Sequence, residues 1–531
     1  MPSSLAVLPL LAPFALFVVA LVAATERAPV PRATLLLTRV TGLLGLVVAV
    51  LTAVLVVLRG SASFLVGSGP FALGLRLDAL SAAMFALVAF LGAVVMHFSR
   101  RYLEGDARHG AFLGRLAVTI ASVMLLVLSG TVVQLALLWT LTSLALHRLL
   151  LFYPERIGAV IAGRKKFLVA RVGDVAMALA AVLLVRAFGT GDLAAIAAQA
   201  RAAADAGTAP DGTGLAVSLL LVAAALKSAQ FPLHAWLTEM METPTPVSAL
   251  LHAGILNGGP FLLVRLAPVV LLAPRAMDAM IIVGGMTALV MSVIMVAQPR
   301  IKTQLACSSA AHMGFMILLC GLGAFPVALL HLIAHSCYKA HAFLSSSSAV
   351  EVHRASHVPG VGPVPRLGAV VAAFVLAGVT VAAVGAVVDV RVLERPVSVG
   401  IAAMLAISLV QLVGQAALTR APLQVALRTA AAAAATALAF FLLERGAQAL
   451  LAGAVPVVSL RGTHTLVLMG VVTAAFAGAA ALQLMLPALT RTPRWAALHV
   501  HARNGFYASA WFDRLVGAWR PTTTILPEAR A

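Results

Sequence analysis

KSAQFPLHAWLTEMMETPTPVSALLH, residues Lys227–His252, is the stretch whose reading decides the fold. Lys227 closes a long apolar run, and an ammonium at membrane depth is costly enough to mark function by default. Five residues on, Pro232 lacks a backbone N–H and clashes with the preceding turn, so a helix is expected to break there. A short amphipathic piece with Trp236 follows, then the punctuation Thr243–Pro244–Thr245–Pro246, then an apolar helix carrying His252. A broken helix in a bilayer survives only where protein or a water-filled cavity satisfies the freed carbonyls. Lysine, break and histidine together point to an ion path.

The rest of the chain supplies the membrane. Of 531 residues, 62% are hydrophobic and 10% charged, with mean hydropathy +1.04. Repeated apolar runs of about 20 residues are membrane helices, and no soluble core needs so many. The expectation is an all-α polytopic membrane protein with about fifteen transmembrane helices. The first apolar run is read as a membrane helix and not as a cleaved leader.

The net charge of +19 does not point to nucleic acid, because the cations are spread over short loops and form no stripe. Arg100, Arg101, Arg108 and Arg115 fall in one such loop, and Arg156, Arg164, Lys165 and Lys166 in another. Further basic groups are Arg300 with Lys302, Arg354 with Arg366, and Arg420 with Arg428. Placing them all inside gives an outward N-terminus and a cytoplasmic C-terminus. Residues 188–212 read as a solvated outward loop, and His499–Trp519 as an interfacial or partner-docking helix. No nucleotide fingerprint, haem spacing or zinc ligand set occurs, so no catalytic residue and no metal is assigned. Cys307, Cys320 and Cys337 lie in apolar runs and read as core residues.

Titratable groups inside apolar runs are the candidates for chemistry. Arg171 and Asp174, three apart, share a helix face and can pair. Lys227 lies one helix onward, where the cost of burial opposes the pull of a carboxylate. Residues 329–350 read LLHLIAHSCYKAHAFLSSSSAV, in which His331, His335 and Lys339 follow i, i+4, i+8 and form one stripe. Each must be hydrated or paired inside a membrane, and histidine changes charge near neutral pH, as a relay requires. His341 and Ser345–Ser348 could extend the stripe. Lys302, at a helix start, reads equally as a loop anchor or a pathway group. The expected ion pathway is therefore Asp174, Lys227, His252, Lys302, His331, His335 and Lys339, with Arg171 as supporting ion pair.

Several of these stretches resemble the antiporter-like subunits of respiratory complex I (the NuoL type) and of Mrp cation/proton antiporters. They are RVGD at Arg171–Asp174, KSAQFPLHAWL at Lys227–Leu237, PTPVSALLHA at Pro244–Ala253, IKTQLACSS at Ile301–Ser309 and HLIAHSCYKAHAFLS at His331–Ser345. The resemblance implies two inverted five-helix repeats, each with a broken helix. It divides the chain into N-terminal helices (1–111), a first repeat (112–270), a second (271–443), a C-terminal helix (444–487) and a cytoplasmic or interfacial tail (488–531).

Departures from the pattern matter equally. The family carries a glutamate directly after a tryptophan in the fifth span; here Thr140 follows Trp139. The family's second lysine–acid pair is replaced by Val388–Asp389, and no lysine follows Lys339. No long lateral C-terminal helix is expected. These departures argue against a redox-driven pump.

WTLTSLALHRLL (Trp139–Leu150), LLHAGILNGGPFLLVRLAP (Leu250–Pro268), YKAHAFLSS (Tyr338–Ser346) and HVHARNGFYASAWFDRL (His499–Leu515) are most similar to the DabB-type membrane subunits of bacterial inorganic-carbon accumulation complexes. That resemblance implies a subunit of the bacterial inner membrane, not itself an enzyme, that conducts protons or Na+. Its partner would be a DabA-like subunit whose zinc hydrates CO2 to bicarbonate, leaving no cofactor in this chain. The alternatives are a NuoL-like proton-pumping subunit of an NADH-quinone oxidoreductase, an Mrp-type antiporter subunit, and a purely structural scaffold.

Overall fold

The computed structural model describes residues 7–26, 28, 30–67, 69, 72–346, 367–388, 396–418, 423–455, 463–489 and 493–516. Helices α1 (Leu11–Thr25) and α2 (Arg32–Arg59) lead into an antiparallel hairpin, β1 (Ala62–Val66) with β2 (Leu73–Leu77), in which Phe64 faces Leu75. Then come α3 (Ala79–Tyr102), α4 (His109–Val127), α5 (Val132–Leu150), α6 (Ile157–Phe188), α7 (Leu193–Asp205) and α8 (Thr213–Lys227). The chain breaks, forms α9 (Ala235–Glu239), and re-enters as α10 (Thr245–Ala253), α11 (Gly258–Arg265) and α12 (Ala267–Val270). The second half holds α13 (Pro274–Ala297), α14 (Ile301–Gly321), α15 (Phe325–Leu344), α16 (Leu367–Val387) and α17 (Pro396–Leu418). Helices α18 (Leu423–Leu451) and α19 (Thr463–Leu489) precede the tail, α20 (Pro493–Arg503) and α21 (Ala508–Val516).

Thirteen helices among the described residues are long and apolar enough to cross a membrane. The chain is a multi-pass membrane protein. Two of the fifteen expected spans fall outside that set, α8 and α15. The first has only 15 residues before the break, and the second is diluted by His331, His335, Lys339 and His341. Between them they carry Lys227, His331, His335 and Lys339.

Several backbone groups at the break after Lys227 find partners within the protein. Ser228 and Gln230 N–H donate to Ala224 and Ala225, Leu233 N–H donates to Gln230, and Phe231 N–H donates to Thr287 Oγ1 at 3.2 Å. Ser228 Oγ donates to the Leu256 carbonyl at 2.8 Å, tying the first break to a second. That second break interrupts the apolar helix expected to carry His252, at Gly254 and by a 3-10 turn at Ile255–Asn257. A Cβ on Gly259 would collide with Ser228 Oγ and the Ala224 carbonyl, so the two broken segments touch backbone to backbone. Small residues make such approaches possible in lipid.

Three further expectations change. Residues 188–212 are no open loop: α7 buries Leu193, Ile196 and Ala200, an apolar face too sparse to read as a span. The hairpin β1–β2 was not expected. Cys307 and Cys320 are buried, but Cys337 is exposed. Asp389, with Arg354, Arg366 and Arg420, lies outside the described residues.

At the hairpin end of the bundle a buried ion cluster fastens the broken segment. Arg265, closing α11, donates to Asp78 Oδ2 at 2.6 Å and to Ser81 Oγ at 2.8 Å. Arg76 reaches the same carboxylate oxygen at 2.9 Å, and Asp78 caps α3 by accepting from Ser81 N–H. Burial pushes the Asp78 carboxyl up, but Arg265 and Arg76 outweigh it and hold it well below the ordinary carboxylate range. Its stabilising contribution is therefore present above the ordinary carboxylate pKa and is lost as pH falls towards the depressed folded value. Arg265→Ala leaves Asp78 buried with half its compensation and is expected to cost about 3–5 kcal/mol, read as a lowered thermal midpoint in detergent. An unchanged midpoint would remove the cluster from the account of stability.

Candidate functional site

Helix α5 presents neutral acceptors to two lysines on neighbouring helices. Lys227 Nζ donates to the Trp139 carbonyl and to Thr142 Oγ1, both at 3.1 Å, and sits 4.0 Å from the centre of the Trp139 ring. Lys166, on α6, is buried and donates to Ser143 O at 2.8 Å and Ser143 Oγ at 3.0 Å. Lys227, Lys166 and Asp174 line one small cavity of ≈ 20 Å³, enough for a water molecule, with Trp236 closing its wall. Arg171 pairs with Asp174 at 2.5 Å, as their spacing requires.

On its other side Lys227 lines a second cavity of ≈ 20 Å³ that leads to Asn257 and Gly258. Asn257 is buried and donates to Ser336 Oγ at 2.7 Å, linking the 3-10 turn to α15. Ser336 lies between the residues of the predicted stripe. His335 and Lys339 are both buried there, and Lys339 Nζ donates to the Leu305 carbonyl at 3.0 Å. His252 is buried and stacks on Phe343, with ring centres 4.3 Å apart.

His331 bonds His312 of α14 at 2.9 Å, and the His312 ring also lies 5.0 Å from that of His335. Both ring nitrogens of His335 are buried without a protein partner. Lys302 donates to Thr245 Oγ1 at 3.3 Å, which places it at the start of α10, away from the inner row. His341 is exposed, and Ser347 and Ser348 lie outside the described residues.

The structure thus gathers Asp174, Lys227, His252, His331, His335 and Lys339 along the bundle interior and adds Lys166, Asn257, Ser336 and His312. Lys165 and Lys166 correct an expectation, since both lie inside α6 and not in a loop. The missed signal for Lys166 was its i, i+8 spacing to Asp174, which puts both on one helix face.

Lys165 faces the tail. Its Nζ bridges Glu239 at 2.7 Å and Asp513 of α21 at 2.6 Å, while Ser509 donates to Glu239. Phe512 is buried in the main core, and Gln298 donates to the Arg503 carbonyl at 3.1 Å. The described tail therefore contacts its own chain, while Tyr507 and Trp511 stay exposed; residues 517–519 lie outside the described residues.

Residues 129–414 match the family model for the membrane region of NADH:quinone oxidoreductase and Mrp antiporter subunits. The chain belongs to this family. Residues 63–113 match the N-terminal model of complex I chain 5. Among curated relatives, a probable inorganic carbon transporter subunit DabB2 of Halothiobacillus neapolitanus is 34% identical over 81% of this chain and 78% of its own length. The probable inorganic carbon transporter subunit DabB of Hydrogenovibrio crunogenus is 41% identical over 49% of this chain, and the match spans only half of that relative. The Mrp complex of Dietzia sp. DQ12-45-1b contains a chain with the same fold, at TM-score 0.63 and 22% identity, covering 96% of this chain and 60% of that one.

Within this family's fold, the position after Trp139 is Thr140, and the acceptors that meet Lys227 are a carbonyl and a hydroxyl. Asp174 is the carboxylate that shares its cavity.

The Asn257–Ser336 bond makes a test of the link between the two halves. Asn257→Ala and Ser336→Ala are each expected to destabilise by about 1 kcal/mol, because each removes one buried hydrogen bond while the partner keeps its bond to Leu332 or Ala253. The double variant should cost little more than the worse single one, measured as thermal midpoints in detergent. Strict additivity would show that the two groups do not act together.

Proposed function

We propose that the chain is the ion-conducting subunit of an inorganic-carbon uptake complex, in which cation movement, the proton foremost, drives CO2 hydration in a zinc-containing, DabA-like partner. The observation that carries the reading is the interior polar row from Asp174 and Lys166 through Lys227, Asn257 and Ser336 to His335 and Lys339. Relatives named as inorganic carbon transporter subunits give the substrate class.

In this reading Lys227 is the central switch. Lys166 and Lys227 line one cavity, where their ammonium charges repel each other while Asp174 attracts both, so a proton on one lysine disfavours a proton on the other. The breaks at Ser228–His234 and Gly254–Asn257 let the row shift without unravelling whole helices. His312, His331 and His335 pass charge between Lys339 and the far side of the bundle. Lys302 serves at the mouth, beside Thr245. One charge crossing ~100 mV releases about 2.3 kcal/mol, the scale on which such coupling works.

The complex sits in the bacterial inner membrane with the basic loops and the docked tail on the cytoplasmic side. The Arg108–Glu155 pair and the Arg156 bond to the Glu242 carbonyl place those loops at the end of the bundle where the tail docks, which supports that orientation.

Lys227→Ala and Lys339→Ala are each expected to reduce bicarbonate accumulation to the level of cells lacking the complex, while the tagged complex still purifies intact. Mass spectrometry and metal analysis of that preparation should find one large zinc-containing companion. Full uptake by both variants would overturn the pathway, and quinone-oxidoreductase or antiporter subunits in place of the zinc protein would overturn the substrate.

A further inference from the structure

Helices α2 and α3, with Leu344 at the end of α15, line a groove of ≈ 720 Å³ that the ion path does not use. On α2 its wall is Arg39, Leu43 and Leu46; on α3 it is Phe90, Val94, His97 and Arg101. Both sets follow i, i+3 or i+4 spacing, so each is one helix face. The helices run antiparallel, and both faces change from apolar to cationic towards the same end, where α2 begins and α3 finishes. Leu43 and Phe90 are exposed there.

A second cavity of ≈ 440 Å³ adjoins this end and shares Arg39, His97, Arg100 and Arg101. Its floor includes His109, which is 5% exposed and whose Nε2 has no hydrogen-bond partner. Arg100 Nε is likewise buried and unpartnered. Glu104 also lines the cavity, yet among the described residues Arg39, Arg100 and Arg101 form no ion pair. Three guanidinium charges against one carboxylate leave an excess of two, facing a concavity.

We propose that this groove binds one anionic phospholipid. An acyl chain lies along Leu43, Leu46 and Phe90, and the phosphate is held by Arg39, Arg100 and Arg101, with the His109 ring beneath it. Guanidinium forks match phosphate oxygens in geometry as well as charge. Basic pockets between membrane helices on the cytoplasmic side meet the leaflet richest in anionic lipid. A free phosphate would satisfy the arginines but leave the apolar walls bare. A membrane helix of a partner would cover the walls but leave the guanidinium groups unmatched unless it also carried acids to this depth. A phospholipid has the two chemistries in the order in which the groove presents them.

The test is native mass spectrometry of the full-length chain, purified with its accompanying subunits, after addition of phosphatidylglycerol, phosphatidylcholine or inorganic phosphate. The wild type should retain one phosphatidylglycerol in preference to phosphatidylcholine, and Arg39→Gln with Arg101→Gln should weaken that retention about 30-fold. Val94→Trp, which fills the apolar half and leaves every arginine in place, should also lower it. Equal retention of the two lipids by the wild type would overturn the proposal. So would displacement of the lipid by inorganic phosphate, or a cysteine at Leu43 that crosslinks to a partner subunit.

Discussion

The whole structure answers one constraint: an ammonium group placed at membrane depth must be satisfied by protein. Lys227 ends α8 because the helix cannot continue through Pro232, and that termination puts its side chain against α5. Everything around it supplies what water would have supplied. The Trp139 carbonyl and Thr142 hydroxyl accept from it, the Trp139 ring lies under it, and small cavities flank it. The second break, at Gly254, brings Gly258 and Gly259 against the first, so that two irregular segments satisfy one another inside the bundle. Irregular backbone is tolerated in a bilayer only under this condition.

Replacing a carboxylate by neutral acceptors next to a lysine changes the physics of the site. A directly paired carboxylate holds an ammonium by charge, and breaking that pair is expensive. A carbonyl and a hydroxyl hold it by hydrogen bonds that a neutral amine can partly keep. Asp174, paired with Arg171, then sets the field in the cavity without clamping Lys227. Such a lysine is held less tightly than one in a fixed internal ion pair.

How much of this was legible in the sequence depended on contrast. Lys227 before Pro232 and the stripe His331–His335–Lys339 stood out because charge inside an apolar run has few ordinary explanations, and the structure gathers them. Lys166 did not, because a lysine beside Arg164 and Lys165 looks like a loop under the positive-inside rule, while the helix in fact begins at Ile157. His312 was a single histidine without a sequence partner; its partner is on the next helix. Asn257 and Ser336 are uncharged and gave no signal. The break at Gly254 was overlooked although Pro260 signals it: Pro260 has no N–H for the Leu256 carbonyl, which Ser228 Oγ satisfies instead. For the tail, an amphipathic helix shows that it needs a surface, and only the fold shows that part of that surface is its own.

That last contact has a consequence for coupling. Asp513 and Ser509 reach Lys165 and Glu239, and Lys165 precedes Lys166, whose ammonium is bonded to α5 next to the acceptor of Lys227. Glu239 closes α9, the short helix that follows the break. The tail therefore grips both elements whose movement would alter the cavity, the body of α6 and the broken segment. Phe512, buried in the core, gives that grip an apolar anchor that salt does not screen. The C-terminal segment thus contacts both α6 and α9, although more than 250 residues of sequence separate Glu239 from Asp513.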